Sequence, residues 1–196
     1  MSTQLLSHPT RPRGIPRGVT SWRTRPFSRE LVATEVAELA GRRDVYTFLR
    51  RRMPMGRGTI DLLTVGPGGI TVVNALLVRG STLTVARGGG GFAEPRGQRL
   101  LAGDRDHTAA VDNLEREVTA VRQALASDLG GLVPAVRGAL CLPEATDLPP
   151  FAFLRLHEIV IDGPEAIAYL AARSGELTHE QVLRTARRLE RAFPRR

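Results

Sequence analysis

Two runs of β-branched residues around a glycine and proline turn most constrain how this chain can fold. Residues 59–65 and 70–78 flank the turn at 66–69, which reads Gly-Pro-Gly-Gly, and the pattern predicts a β-hairpin. Pairing the strands about the centre of the turn predicts three opposed pairs, Val65 with Ile70, Leu63 with Val72 and Asp61 with Asn74. Both strands are apolar on both faces except at Asp61 and Asn74, so we predict central strands covered on each side.

The rest of the chain alternates helix and strand patterns. Helices are predicted over about 29–40, 107–127 and 164–172, and from a Thr178/Gln181 capping box to about 192. Further strands are predicted over 45–49, 81–86, 136–142 and 156–161, with the arginines at 50–52 in a basic connection. Periodicity alone therefore predicts a mixed α/β domain.

Composition separates a basic arm from the rest of the 196 residues. Residues 1–27 are rich in proline and arginine and contain no acidic residue, so we predict a flexible arm, either solvated or touching phosphates. Residues 28–196 are predicted to form one domain. The net charge of +8 favours a polyanionic partner, nucleic acid before an anionic membrane surface. We expect no membrane-spanning segment and a cytoplasmic protein, because no long apolar run and no secretory signal are present.

The hairpin residues resemble the core of the nuclease-related domain (NERD) family, in the PD-(D/E)XK nuclease superfamily. That family's pattern is Ile-Asp-His, the Gly-Pro-Gly-Gly turn, then Val-Ile-Asp-Ala-Lys and a later Gly. Ile60-Asp61, the turn and Gly80 match this pattern. Three positions depart from it. Leu62 stands where the family has His, Asn74 stands where it has the second carboxylate, and Leu76 stands where it has the lysine.

The resemblance covers about residues 30–194. Actinobacterial members carry a Gly-Arg-Asp stretch and an Arg-Gln-Val helix, which Gly103-Asp104-Arg105-Asp106 and Arg116-Glu117-Val118 resemble, with Glu117 in the Gln position. The resemblance implies a restriction-endonuclease-like core, in which a central mixed β-sheet is flanked by helices.

The resemblance also implies a site. Active relatives hold Mg²⁺ or Mn²⁺ through carboxylates and support the phosphate with a lysine. Asp61 is the implied metal ligand, whereas Asn74 and Leu76 are degenerate catalytic positions. The first-helix carboxylate falls on Glu30, with Glu35 as the alternative. Glu117 could add a carboxylate near the site. Because it lies one residue before the apolar stripe of its helix, a surface ion pair is the favoured alternative.

Four arginines around the hairpin are predicted to contact nucleic acid, most simply DNA: Arg51, Arg52, Arg57 and Arg79. Because two of the three catalytic positions in the hairpin are replaced, we expect a nucleic-acid-binding protein with lost or strongly reduced phosphodiester hydrolysis. Two alternatives stay open. One is an active metal-dependent DNase whose ligands have moved to Glu30, Asp61 and Glu117, and the other is a protein-interaction module on a nuclease scaffold.

Overall fold

A six-stranded mixed sheet forms the centre of the protein. The computed structural model describes residues 28–43, 45–54, 58–78, 82–87, 98–126, 134–143, 148–149, 151–175 and 177–195. The predicted arm at 1–27 lies outside these residues. The strand order is β1-β2-β3-β7-β9-β8, with bounds β1 Tyr46–Arg52, β2 Thr59–Gly66, β3 Gly69–Ala75, β7 Val136–Cys141, β8 Leu154–Leu156 and β9 Ile159–Asp162.

Helices cover both faces of this sheet. Among the described residues the helices are α1 Arg29–Gly41, α2 Thr108–Ala126, α3 Pro164–Ala172 and α4 His179–Ala192. One face packs against α1 and α3, and the other packs against α2 and α4. Counting only the strands of this sheet, the elements follow in the order α1, β1, β2, β3, α2 and β7. This order agrees with the sequence prediction. No helix in the described ranges is long and apolar enough to cross a membrane.

The central hairpin has the register that the sequence predicts. Val65 pairs with Ile70 and Leu63 pairs with Val72. Because β1 pairs β2 on one side and β7 pairs β3 on the other, both hairpin strands are central. The β3–β7 and β7–β9 pairs are parallel, and the connection from β3 to β7 crosses over through α2. The turn needs glycine at 69, where φ is +112° and an added Cβ would lie 2.3 Å from the carbonyl oxygen of Ala135.

Three parts of the secondary-structure prediction were wrong. The arginines at 50–52 belong to β1 and not to a connection, because their backbones pair with β2 and the C-terminal tail. The strand predicted over 156–161 is a hairpin that turns at His157, with φ of +53°. The strand predicted over 81–86 corresponds to β4 Leu83–Arg87, but its partners β5 Gln98–Ala102 and β6 Arg105–Asp106 were not predicted. Together these strands form a second sheet. Its glycine-flanked strands are too short for periodicity to reveal.

The predicted capping box at the start of α4 is present. The Thr178 hydroxyl accepts a hydrogen bond from the N–H of Gln181 at 3.3 Å, and the Gln181 side chain accepts one from the N–H of Thr178 at 2.7 Å. These bonds satisfy two backbone donors that the helix itself leaves without partners.

We expect Thr178→Ala to lower the free energy of unfolding by about 1 kcal/mol, because one of those donors loses its acceptor. Chemical denaturation measures the change. Thr119→Ala, at an exposed position within α2, is the control and should stay within about 0.5 kcal/mol of wild type. Equal losses in both variants would contradict a role for the cap.

Candidate functional site

Asp61 and Asn74 face each other where the backbone pairing of β2 and β3 ends. The last backbone pair is Leu62 with Val73. Beyond it, the N–H of Asp61 donates to Oδ1 of Asn74 at 3.2 Å, and the N–H of Ala75 donates to Oδ2 of Asp61 at 3.1 Å. Side chains thus replace the backbone ladder at this point. The predicted opposition of Asp61 and Asn74 is confirmed, and both side chains are held in fixed positions.

Helix α2 brings a carboxylate to the same point. Glu117 adjoins Val118, which belongs to the buried stripe of the helix. Its Oε2 accepts a hydrogen bond from Nδ2 of Asn74 at 2.7 Å. Asn74 therefore links the backbone of Asp61 to the carboxylate of Glu117, and we call these three residues the Asp61–Asn74–Glu117 network. The prediction that Glu117 forms a surface ion pair was wrong, because α2 crosses β3 with this residue turned toward the sheet.

Both carboxylates of the network have raised pKa values. Burial is the main cause for Asp61, while the N–H of Ala75 and the charge of Arg29 lower its pKa and Glu30 raises it. Burial also raises the pKa of Glu117, to about 7, against the Asn74 hydrogen bond, with the charge of Asp61 adding to the rise. Glu117 therefore stays protonated to a higher pH than an exposed glutamate. A cation between the two groups would favour their ionised forms.

The donor chemistry of the network fits a hard divalent cation. Mg²⁺ takes oxygen ligands and is often held by one or two carboxylates, with waters and substrate phosphates completing the shell. Asp61 and Glu117 supply two carboxylates. The Asn74 amide oxygen already accepts the N–H of Asp61, so it is a weaker ligand. Within the described residues no group of three or more His, Cys, Asp or Glu side chains is arranged to hold a metal ion. A cation here would therefore depend on two protein carboxylates.

A cleft of about 550 Å³ opens beside the network. Its floor comes from the ends of β3 and β7, and its walls come from the first half of α2, the start of α1 and the approach to β2. Asn74 and Glu117 line it, whereas Asp61 lies behind Asn74 and Ala75. The other lining residues are Arg29, Met53, Gly58, Thr59, Leu76, Asp106, His107, Ala109, Ala110, Asn113, Arg116 and Leu140.

The structure separates the two proposed first-helix carboxylates. Glu30 lies close enough to Asp61 to raise its pKa, but its exposed side chain pairs with Arg50 at 2.6 Å and does not line the cleft. Glu35 lies more than a turn further along α1. It lines a different pocket of about 240 Å³ with Asp162 and Glu165. Of the two, only Glu30 is near the network.

Leu76 leaves the lysine position of the resemblance without a charge. It is 6% exposed and packs in the core below α2. A cation close to both carboxylates is instead Arg29, which lines the cleft and lowers the pKa values of both Asp61 and Glu117. Sequence reasoning missed Arg29. Its only signal was its place directly after the helix cap, one residue before Glu30.

Two of the four arginines predicted to contact nucleic acid lie among the described residues, and their surroundings differ. Arg51 is half-buried, stacks on Phe48 at 5.0 Å and donates to the carbonyl of Phe193 at 3.3 Å, which gives it a role in fastening the C-terminal tail. Arg52 is exposed next to the cleft-lining Met53. Arg57 and Arg79 lie outside the described residues.

Arg116 is a second cleft-lining cation that sequence reasoning missed. It is exposed and donates to the carbonyl of Asp112 and to the side chain of Asn113. Its signal was weak, since one arginine on an exposed helix face is common.

Comparisons of the whole chain with known protein families, curated proteins and solved structures found no match.

Proposed function

We propose that this chain is a nuclease-fold protein similar to the NERD family, with a PD-(D/E)XK core, that binds nucleic acid and has lost or strongly reduced phosphodiester hydrolysis. One observation carries the proposal. Asp61, Asn74 and Leu76, which stand at the positions that the resemblance makes catalytic, lie at the same end of β2 and β3 beside a cleft. Arg29 and Arg116 add positive charge to that cleft, which favours a phosphate-containing ligand.

The same positions argue for weak chemistry. A metal ion bound here would lower the pKa of an attacking water and polarise the phosphate. Asn74 supplies no negative charge to hold such an ion, and Leu76 cannot stabilise charge that develops on the phosphate. Loss of one such group costs about 10²–10³ in rate, so loss of both leaves hydrolysis far below that of an intact site.

A second function, metal-dependent DNA hydrolysis with relocated ligands, is favoured by Glu117. In the family pattern the strand carries the carboxylate and the helix carries Gln, whereas here the strand carries Asn74 and the helix carries Glu117. The two side chains are in contact at 2.7 Å. A carboxylate and an amide are therefore both retained with their positions exchanged, and Asp61 with Glu117 would be the ligand pair. Glu30, the third relocated ligand considered, pairs with Arg50.

Plasmid cleavage and DNA binding, measured on the full chain, test these functions. We expect wild type to bind duplex DNA with a steep salt dependence and to leave plasmid uncut in Mg²⁺ or Mn²⁺. Cleavage that disappears in both Asp61→Ala and Glu117→Gln would instead support relocated ligands. Glu165→Gln, on α3, is the control for loss of a carboxylate. Absence of DNA binding would contradict the proposal and leave a protein-interaction scaffold.

A further inference from the structure

Positive charge is concentrated at the two ends of this chain. Residues 28–178 contain 17 arginines and 18 acidic residues, so they are close to neutral. Residues 179–196 contain six arginines and two glutamates. Among residues 28–196, the excess positive charge therefore lies on α4 and the tail that follows it. A polyanion attracted by charge would meet this part of the domain.

Helix α4 directs three of its four arginines away from the core, whereas Arg188 is partly buried and donates to the carbonyl of Ala124 at 3.3 Å. The buried residues of the helix are Val182, Thr185, Ala186 and Leu189. Arg187 and Arg191, one turn apart, are exposed on the opposite side. Arg184 shares their side but pairs with Glu180 at 2.8 Å. Glu190, the other acid of α4, lies on the flank, about 100° around the helix from Arg191.

The C-terminal tail lies beside the end of β1, the strand that leads into the cleft. The N–H of Arg52 donates to the carbonyl of Pro194 at 2.9 Å, and the backbone of Arg195 forms an antiparallel β-bridge with the backbone of Arg51. These contacts hold the tail along β1. Arg52 and Arg195 are both exposed. Met53, which follows Arg52 in the chain, lines the cleft.

We call Arg52, Arg187, Arg191 and Arg195 the C-terminal basic stripe. Within the part of the chain that the structure describes, the ion pairs of arginine are formed by Arg50, Arg99, Arg122 and Arg184, and none involves the stripe. Arg191 Nε donates to the carbonyl of Arg187 at 3.3 Å. The other guanidinium N–H groups of the stripe stay available to phosphates, which guanidinium groups bind in a fork geometry.

The surroundings of the stripe favour a double helix over a single strand. Single strands are held by stacking bases on aromatic side chains. No Phe, Tyr or Trp is among the described residues that line the cleft or form the stripe. The exposed large apolar residues of the described chain lie elsewhere, at Leu31, Tyr46, Leu77, Phe151 and Tyr169. Recognition here would therefore depend on backbone phosphates.

We propose that the C-terminal basic stripe binds the phosphates of double-stranded nucleic acid and extends the contact surface of the cleft along α4. This inference rests on the proposed function, because it assumes that the cleft receives nucleic acid. It adds the form of the ligand and the surface that supplies most of the affinity. Each arginine that neutralises a duplex phosphate steepens the salt dependence of binding by about 0.9.

Affinity titrations of the full chain against a short DNA duplex, at several salt concentrations, test the stripe. The variant Arg187→Ala/Arg191→Ala/Arg195→Ala removes three of its charges. The control Arg42→Ala/Arg155→Ala/Arg173→Ala removes three exposed arginines from α1, β8 and the end of α3. We expect the stripe variant to lower the slope of log K against log salt by about 3 and to bind about 100-fold more weakly. The control should resemble wild type.

Wild type should also bind the duplex more tightly than the single strand of the same sequence. If the stripe and control variants lose affinity equally, or the single strand binds better, the inference is wrong while the proposed function stands. If wild type binds no DNA, the proposed function fails first. Should the triple variant not fold, Arg187→Gln and Arg191→Gln singly should each reduce the slope by about 1, and an unchanged slope in both would contradict the inference.

Discussion

The variant Asn74→Asp/Leu76→Lys/Glu117→Gln should cleave supercoiled plasmid in Mg²⁺ about 10³-fold faster than wild type, or more. It restores a second strand carboxylate for the metal and a cation for the phosphate, each of which contributes about 10²–10³ in rate. Leu76 is buried but lines the cleft, so a lysine there can extend its ammonium group into the opening.

The third substitution follows from the structure. Asn74 donates to Glu117 at 2.7 Å. Changing Asn74 to Asp alone would therefore place two carboxylates against each other, and one would stay protonated. Glu117→Gln turns this contact back into a hydrogen bond between an amide and a carboxylate. We expect the variant with only Asn74→Asp and Leu76→Lys to be slower than the triple variant.

The control for this gain of activity is the triple variant with Asp61→Ala added, which should be silent because one of its two metal-binding carboxylates is lost. Circular dichroism and duplex binding establish that each variant is folded and still engages DNA. A folded, DNA-binding triple variant that cuts no plasmid would refute the assignment of Asp61, Asn74 and Leu76 to a nuclease site.

Glu117→Gln alone should raise the free energy of unfolding at pH 8 by about 2 kcal/mol. In the folded protein burial raises the pKa of Glu117 from 4.5 to about 7. A carboxyl with a raised pKa contributes stability below pH 4.5 and loses that contribution as the pH rises through 7. Glutamine is neutral at every pH and can still accept the hydrogen bond of Asn74.

Urea denaturation between pH 4.5 and 8 measures this effect. The difference between Glu117→Gln and wild type should be near zero at the acid end and should grow with pH. Glu190→Gln, an exposed position on α4, should show no such growth. A difference that is constant with pH, or that makes the variant less stable at pH 8, would mean that Glu117 is not held in a buried, unfavourably ionised state.

The central hairpin and the helix caps could be predicted from the sequence because the signals that define them are local. The Gly66–Gly69 turn and the two-residue period of its strands fix which residues oppose each other, so the pairing of Asp61 with Asn74 followed from the sequence. The capping box of Thr178 with Gln181 was found in the same way. The hairpin at His157 was missed because two short strands resemble one longer strand.

The partners of the site residues could not be predicted in this way. Glu117 is 43 residues from Asn74, and its contact depends on how α2 crosses the sheet. Arg29 gave no local sign that it would line the cleft, and Glu35 stayed open as the alternative to Glu30 until α1 was placed against the sheet. These outcomes depend on the packing of amphipathic elements, which spacing within one segment does not encode.

The sequence by itself determined the mixed α/β character, the register of β2 with β3 and the concentration of arginine at the chain ends. These properties depend on residues close together in the chain, where period, turn chemistry and composition act directly. Only the tertiary structure decided that Asn74 bridges Asp61 to Glu117, that Leu76 is buried at the rim of a cleft, and that the tail lies along β1. Those contacts join distant segments, and their geometry is set by burial of the two apolar faces of one sheet.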